Sequence, residues 1–493
     1  MELIIPIDRQ SERPLRDQVF AGLRSAILGG TLRPGERLPS TRALAHDLGL
    51  SRFTVADAYS LLESEGYVAG QVGAGTFVAA TLPVAPEQAL ESTAMPRSDP
   101  PPRSWSAWSE RVTVVGPTTD PPGEASIDFR HAMPDLSLFP HAVWRRLLAQ
   151  ATRQLSLDTA YYGPSAGFPA LREAIAGYLS RSRSLPCVSE QIIITSGSQE
   201  AVDLMARLWI DPGDRVIVES PGYPRARRTF ALAGAEIVPV PVDAHGLQVE
   251  QLSRLNEPAK LVYITPSHHY PTGGVLPLNR RMALLAWARR QPALILEDDY
   301  DSEFRYGHRP MPSLAGLDAA HHGQSSVIYT GTFSKVLYPS TRIGYLVVPE
   351  DMIERVTAAR FATNRTAPFI EQAALAEFIT GHHFERHLGR VRRLYAERQT
   401  ALIRAVTEEL GDIAHLDPAA TTAGLHLLVS FDTPLPVHDI VTRARRAGVH
   451  LDDATACYLT PPPRPTFMLG YACLAEDAMR EGLRRVKRVL ERA

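Results

Sequence analysis

Of the 52 lysine and arginine residues only three are lysines: Lys260, Lys335 and Lys487. Where arginine has displaced lysine so widely, a surviving lysine is expected to serve through its amine. A guanidinium stays protonated and delocalised and forms no Schiff base. Lys260 leads into a strand beside Pro258-Ala259, and Lys487 lies in an Arg-rich terminal helix; both read as solvated charges. Lys335 closes Thr330-Gly331-Thr332-Phe333-Ser334-Lys335 just after a predicted strand, so elimination makes it the reactive amine.

A lysine of this kind suits an aldehyde cofactor such as pyridoxal 5'-phosphate. That cofactor also needs a phosphate cradle, an acid for its pyridine nitrogen and an aromatic ring to stack on. Ser196-Gly197-Ser198-Gln199 follows an apolar strand and opens a helix, so the N–H groups of Gly197, Ser198 and Gln199 would face a phosphate. Alone it could equally be a plain strand-to-helix turn. Thr332, Ser334 and Arg342 add hydroxyls and a cation. Asp298, in Glu297-Asp298-Asp299-Tyr300-Asp301, ends a strand where it would keep the ring nitrogen protonated, and Tyr300 would donate to the ring hydroxyl. Left alone that buried carboxylate would be costly, so a cationic partner is expected. Tyr223, in Ser220-Pro221-Gly222-Tyr223-Pro224, is a stacking ring or simple packing.

The elements that must position these groups alternate. Gln191–Thr195, Arg215–Glu219, Leu261–Thr265, Leu294–Asp298, Val327–Thr330 and Gly344–Val348 are short apolar runs separated by helix-length segments. That pattern predicts an α/β fold over residues 126–493: a mainly parallel sheet covered on both faces, then a smaller α+β C-terminal lobe. Open sheets of this kind bind ligands in the loops beyond their strand ends.

Residues 81–125 are rich in Pro, Ser, Thr and Ala and read as an interdomain linker. As flexible coil the linker would span roughly 35–40 Å. Trp105 and Trp108 within it predict partial anchoring on the large domain.

Residues 1–80 read as a three-helix domain with a hairpin. Leu15, Val19, Leu23 and Ile27 recur at helical spacing before Gly29-Gly30. Ser40 would cap a helix over Thr41–Leu48, Gly49 would turn the chain, and a further helix would run from about Ser51 to Ser64. Glycines at the tip of the following hairpin make this a winged helix-turn-helix. Arg42 would reach backbone phosphate, Ser51, Arg52 and Thr54 would meet base edges, and the wing at Gly73 could enter the minor groove. Charge gives no support: this segment holds eight arginines against nine acidic residues.

Leu32-Arg33-Pro34-Gly35-Glu36-Arg37-Leu38-Pro39-Ser40-Thr41-Arg42, then Leu50-Ser51-Arg52-Phe53-Thr54-Val55, then Gly73-Ala74-Gly75-Thr76-Phe77-Val78, closely resembles the GntR class of bacterial repressors. Residues 126–493 resemble the fold-type I aminotransferases. The fusion is identified as a member of the MocR-type regulators. The resemblance implies that Lys335 carries the cofactor, held by the Asp, Tyr and Ser-Gly-Ser-Gln residues. It also implies a head-to-tail homodimer in which Tyr162 reaches the phosphate bound by the other subunit. Two departures concern the site. Aminotransferases usually have Asn-Pro-Thr-Gly, and here Tyr270-Pro271-Thr272-Gly273 stands instead; His269 either takes over the missing contact or is a loop histidine. Where amino-acid transaminases place a carboxylate-binding arginine the chain has Met468, which leaves Arg464 or Arg225 to hold an acidic effector. His383 and His387, four apart on a helix, lack an acidic third ligand, so no metal is expected.

With 44% apolar residues, net charge −2 and three widely spaced cysteines, the chain reads as a reduced cytoplasmic protein with no membrane segment. Three functions follow as expectations. The first is a regulator binding double-stranded DNA, in which a small amine or amino-acid-like effector displaces Lys335 and repositions the heads. The second is a working aminotransferase with an incidental head. The third is a sensor of the cofactor itself that controls its synthesis.

Overall fold

The computed structural model describes residues 5–71, 73–82, 104–115, 126–131, 133–156, 163–255, 257–306, 311–320, 325–421 and 423–491. It divides into two compact units, Met1–Ser104 and Trp105–Ala493.

In the first unit, α1 (Leu15–Leu28), α2 (Thr41–Leu48) and α3 (Arg52–Ser64) precede the antiparallel hairpin β1 (Val68–Gln71) and β2 (Gly75–Val78). Ser40 Oγ accepts from the Ala43 N–H at 3.1 Å, and Ser51 Oγ accepts from the Thr54 N–H at 3.1 Å, so both helices start where a serine satisfies an orphan donor. Gly49 ends α2 at φ +63°, a conformation nearly closed to residues with a Cβ. Val19, Leu23 and Ile27 pack with Leu44, Val55, Tyr59, Leu62 and Val78 into one small core.

In the second unit, β3 (Ile127–Asp128) precedes an eight-stranded sheet. Its strands are β4 (Ile192–Thr195), β5 (Arg215–Ser220), β6 (Glu236–Asp243), β7 (Gly246–Leu247), β8 (Leu261–Ile264), β9 (Leu294–Asp299), β10 (Val327–Thr332) and β11 (Gly344–Val347), in the order β4-β11-β10-β9-β8-β5-β6-β7. Strands β10, β9, β8, β5 and β6 are mutually parallel. The expected strand near Gly344–Val348 exists but runs antiparallel to both its neighbours. The short connection Phe333–Ile343 cannot carry the crossover that parallel neighbours require.

Strand alternation sends Ile217, Val262 and Ile295 to one hydrophobic layer and Val216, Leu261 and Leu296 to the other. The sheet is therefore buried on both faces. Strands β12 (Ala414–Leu416), β13 (His426–Phe431), β15 (Asp452–Asp453) and β16 (Thr466–Gly470) form the sheet of the smaller lobe, while β14 (Val449–His450) pairs with β3. The long helices His383–Leu410 and Glu476–Glu491 belong to this C-terminal part.

Part of the linker is ordered as the helix Ala107–Val115. It is fastened to the large domain by Arg111 Nε, which donates to the Leu232 carbonyl at 2.8 Å. The two tryptophans do not make the anchor: Trp105 is 65% and Trp108 46% exposed. Among the described residues no helix is long and apolar enough to cross a membrane.

Candidate cofactor and effector site

A cavity of about 670 Å³ opens where the C-terminal ends of the parallel strands meet the smaller lobe. Gly197, Ser198, Gln199, Tyr223, Arg225, Asp298, Tyr300, Thr332, Ser334, Lys335 and Arg342 all line it. The chain scatters these residues over more than 140 positions, and the sheet collects them because β4, β5, β9 and β10 all end on one side.

The phosphate end is built first. Gly197 stands at φ +92° before the helix Ser198–Trp209, with no side-chain cap, so the first N–H groups of that helix face the cavity. A Cβ on Gly197 would lie 3.2 Å from Arg342 Nη1, so glycine lets the guanidinium close over the turn. Arg342 also donates to the Ser196 carbonyl. Thr332 Oγ1 accepts from the Ser334 N–H at 3.2 Å and donates to Ser334 Oγ at 3.0 Å, holding both hydroxyls in the loop before Lys335.

Adjacent residues of β9 part company by strand alternation. Asp299 points to Arg183 Nε at 2.7 Å and accepts from Tyr329 OH at 2.5 Å on one face. Asp298 turns to the other, where Tyr263 OH donates to its Oδ2 at 2.6 Å. Asp298 Oδ1 is buried and has no hydrogen-bond partner among the described residues. Burial pushes the Asp298 carboxyl up to about 7, against the opposing pull of Tyr263. Among the described residues Asp298 makes no ion pair within 4.0 Å, although the Lys335 charge favours its ionised form; Arg183 serves Asp299 instead. The open oxygen is what a pyridine N–H would fill, so the residues present fit pyridoxal phosphate.

Burial lowers the Lys335 amine to about 8; Asp301 and Asp298 pull the other way, and Arg225 adds to the lowering. Tyr300 OH shares His268 Nδ1 at 2.9 Å, and the same nitrogen meets Asp301 Oδ2 at 2.9 Å. Tyr223 packs edge-on against Tyr270, with ring centroids 5.2 Å apart. Arg225 and Arg228 lie in the first turns of the helix Pro224–Ala233 and line the cavity; among the described residues neither has an acidic partner in an ion pair.

Some sequence expectations are corrected. His269 does not line the cavity: its Nδ1 shares a hydrogen bond with Thr272 Oγ1 at 2.8 Å, its Nε2 lies 3.7 Å from the buried Glu219, and burial lowers its pKa to about 3. The neighbouring Tyr270 lines the cavity instead, its hydroxyl meeting His131 Nε2 at 3.0 Å. Arg464 lies away from the cavity in a surface pair with Asp432, Nε to Oδ1 2.5 Å. Tyr162 lies outside the described residues. His387 Nε2 meets the Val336 carbonyl at 2.9 Å, while His383 is flanked by Arg146 and Arg386.

Sequence reasoning missed Tyr263, hidden inside an apolar run, and the wall formed by His131, His450 and Asp452. His131 Nδ1 meets Asp452 Oδ2 at 2.5 Å across 321 positions of sequence, and His450 Nε2 meets Oδ1 of the same carboxylate at 3.0 Å. On the head, Arg42, Ser51, Arg52 and Gly73 are exposed and Thr54 is half-buried.

Residues 133–462 match the family model for aminotransferase class I and II, and residues 15–78 that for bacterial regulatory proteins of the gntR family. Fold and matches together define a class: a GntR-type DNA-binding head joined to a fold-type I aminotransferase domain. The chain belongs to the MocR-type transcription regulators. It is 36% identical over 480 residues to the probable rhizopine catabolism regulatory protein MocR of Rhizobium meliloti, covering 97% of this chain and 94% of that one. It is 31% identical over 480 residues to the HTH-type pyridoxine biosynthesis transcriptional regulator PdxR of Corynebacterium glutamicum, covering 97% and 96%. Among solved structures, the alpha-aminoadipate aminotransferase LysN of Thermus thermophilus, complexed with N-(5'-phosphopyridoxyl)-L-leucine, superposes with a TM-score of 0.68. That match has 28% identity and covers 74% of this chain and 92% of that one.

Proposed function

We propose that the protein is a pyridoxal-phosphate-dependent regulator that senses a small amine with an acidic end and answers by repositioning its heads on DNA. One observation carries the reading: the reactive lysine, the open oxygen of Asp298, the phosphate cradle and two arginines share a single cavity in a chain that also bears a winged head. When bound, the cofactor supplies an aldehyde that Lys335 holds covalently and that a visiting amine can take over.

The N–H groups of Gly197, Ser198 and Gln199, the hydroxyls of Thr332 and Ser334 and the Arg342 guanidinium hold the phosphate. Asp298 holds the ring nitrogen, Tyr300 faces the ring hydroxyl, and Tyr223 covers the ring. Lys335, released by the effector amine, takes up a proton, while Arg225 and Arg228 hold the effector's acidic end. The effector moves the heads only to the extent that it binds one arrangement of the protein better than the other. In a head-to-tail homodimer, Tyr162 completes the neighbouring site and two heads read paired half-sites. Arg42 binds phosphate, Ser51, Arg52 and Thr54 meet base edges, and the wing at Gly73 enters the minor groove.

The test mixes cofactor-loaded protein with a panel of amines, follows the cofactor absorbance, and runs gel shifts on the DNA upstream of the protein's own gene. An absorbance change that alters DNA binding, and is lost in Lys335→Ala, is expected. A colourless protein whose DNA binding is unchanged by that substitution refutes the reading. A second reading, a working aminotransferase, draws on the Lys335 amine being lowered to about 8, close to what a proton shuttle needs. Steady turnover with a keto acid would favour it. A third, sensing of the cofactor itself, draws on the likeness to the pyridoxine biosynthesis regulator, and is tested by titrating DNA binding with and without cofactor.

A further inference from the structure

Helix α3 buries Val55, Ala58, Tyr59 and Leu62, one stripe at helical spacing. At 3.6 residues per turn Phe53 points about 170° away from the centre of that stripe. It is 81% exposed, the most exposed large apolar side chain among the described residues. Its neighbours on the outward face are polar: Ser60 is exposed, and Asp57 is drawn sideways to Arg16 Nη1 at 3.3 Å. Ala56, one turn on, is small and half-buried, and Phe53 takes no part in the buried core of the head.

The position of this ring in the chain matters more than its exposure. Phe53 lies in the first turn of the second helix of the helix-turn-helix, between Arg52 and Thr54. Ser51 fixes that turn through its bonds to the Thr54 N–H at 3.1 Å and the Thr54 hydroxyl at 2.8 Å. The N-terminal turn of a recognition helix is the part that enters the major groove. The one apolar group the major groove presents is the C5 methyl of thymine, and an apolar side chain covering it discriminates thymine from the other bases. We infer that Phe53 reads a thymine methyl in the operator and is a specificity-determining residue of the head. The inference rests on the head binding DNA.

The test uses the full-length protein. Duplexes are selected from a random pool, and each thymine of the selected sequence is replaced in turn by deoxyuridine, which lacks only the C5 methyl. The wild type is expected to lose roughly fourfold in affinity for each methyl that Phe53 covers. That loss should fall at one or two fixed positions. F53A should bind thymine and deoxyuridine duplexes alike, with an unchanged dependence of affinity on salt, because no phosphate contact is removed. F53L, which keeps an apolar surface, should retain the thymine preference and guards against an alanine variant that fails to fold. A wild type indifferent to every deoxyuridine, or an F53A that keeps the wild-type pattern, overturns the inference while leaving DNA binding intact. Failure to enrich any duplex overturns DNA binding itself, and this inference with it.

Discussion

Uptake of cofactor by Lys335 should follow the ionisation of an unusually acidic amine. Only the neutral amine attacks an aldehyde. With its pKa lowered to about 8 by burial, the Lys335 amine is neutral in about one molecule in ten at pH 7, against about three in ten thousand for an ordinary lysine. The uptake rate at fixed, limiting pyridoxal phosphate should therefore rise almost tenfold from pH 6 to 7, about fivefold more to pH 8, and less than twofold beyond. Stopped-flow absorbance on cofactor-free protein measures it. The neighbours supply a sign check. Asp301 favours the charged amine and Arg225 disfavours it, so Asp301→Asn should move the midpoint to lower pH and Arg225→Ala to higher pH. A rate still climbing steeply at pH 9–10, or midpoints that ignore both substitutions, would refute the electrostatic account of this lysine.

Three further outcomes follow from the geometry. Asp298→Asn should weaken pyridoxal phosphate binding by roughly ten- to a hundredfold, the worth of a hydrogen bond to a charged group, as read by equilibrium dialysis. The cofactor-free variant should melt no lower than wild type, since a costly buried carboxyl has been neutralised. Arg183→Met should destabilise the large domain by about 3–5 kcal/mol in urea unfolding, because Asp299 stays buried after losing its cation. Ser51→Ala should cost about 1 kcal/mol of head stability through loss of the α3 cap, measured by thermal unfolding of the head signal.

The head was legible almost to the residue because its punctuation is local: Ser40, Gly49 and Ser51 each act on groups within a few positions. The strands of the large sheet were legible as apolar runs, but β6 was not. Pro239 and Pro241 interrupt it, tolerable because β7 pairs only with Val242 and Asp243 and Pro241 serves on that side as an acceptor, from the Gln248 N–H at 3.0 Å. Direction was less legible than existence, since the antiparallel course of β11 depends on how short the preceding loop is. Type and position singled out Lys335, Asp298 and the Gly197 turn, and the three line one cavity. His269 was left between a cofactor contact and a loop histidine, because adjacent loop residues face opposite ways and no spacing rule says which; Tyr270 lines the cavity and His269 does not. Arg464 was chosen by nearness in sequence, yet Asp432 holds it outside. The pairing of His131 with Asp452 carried no sequence signal, since it needs two distant segments to meet.

The helix Pro224–Ala233 does two jobs at opposite ends. Its opening turns present Arg225 and Arg228 to the cavity, while its closing turn, at Leu232, accepts from Arg111 of the helix Ala107–Val115. One short helix thus touches both the cavity and the segment Ala107–Val115. Residues 107–115 therefore belong with the large domain, although their composition resembles that of a linker.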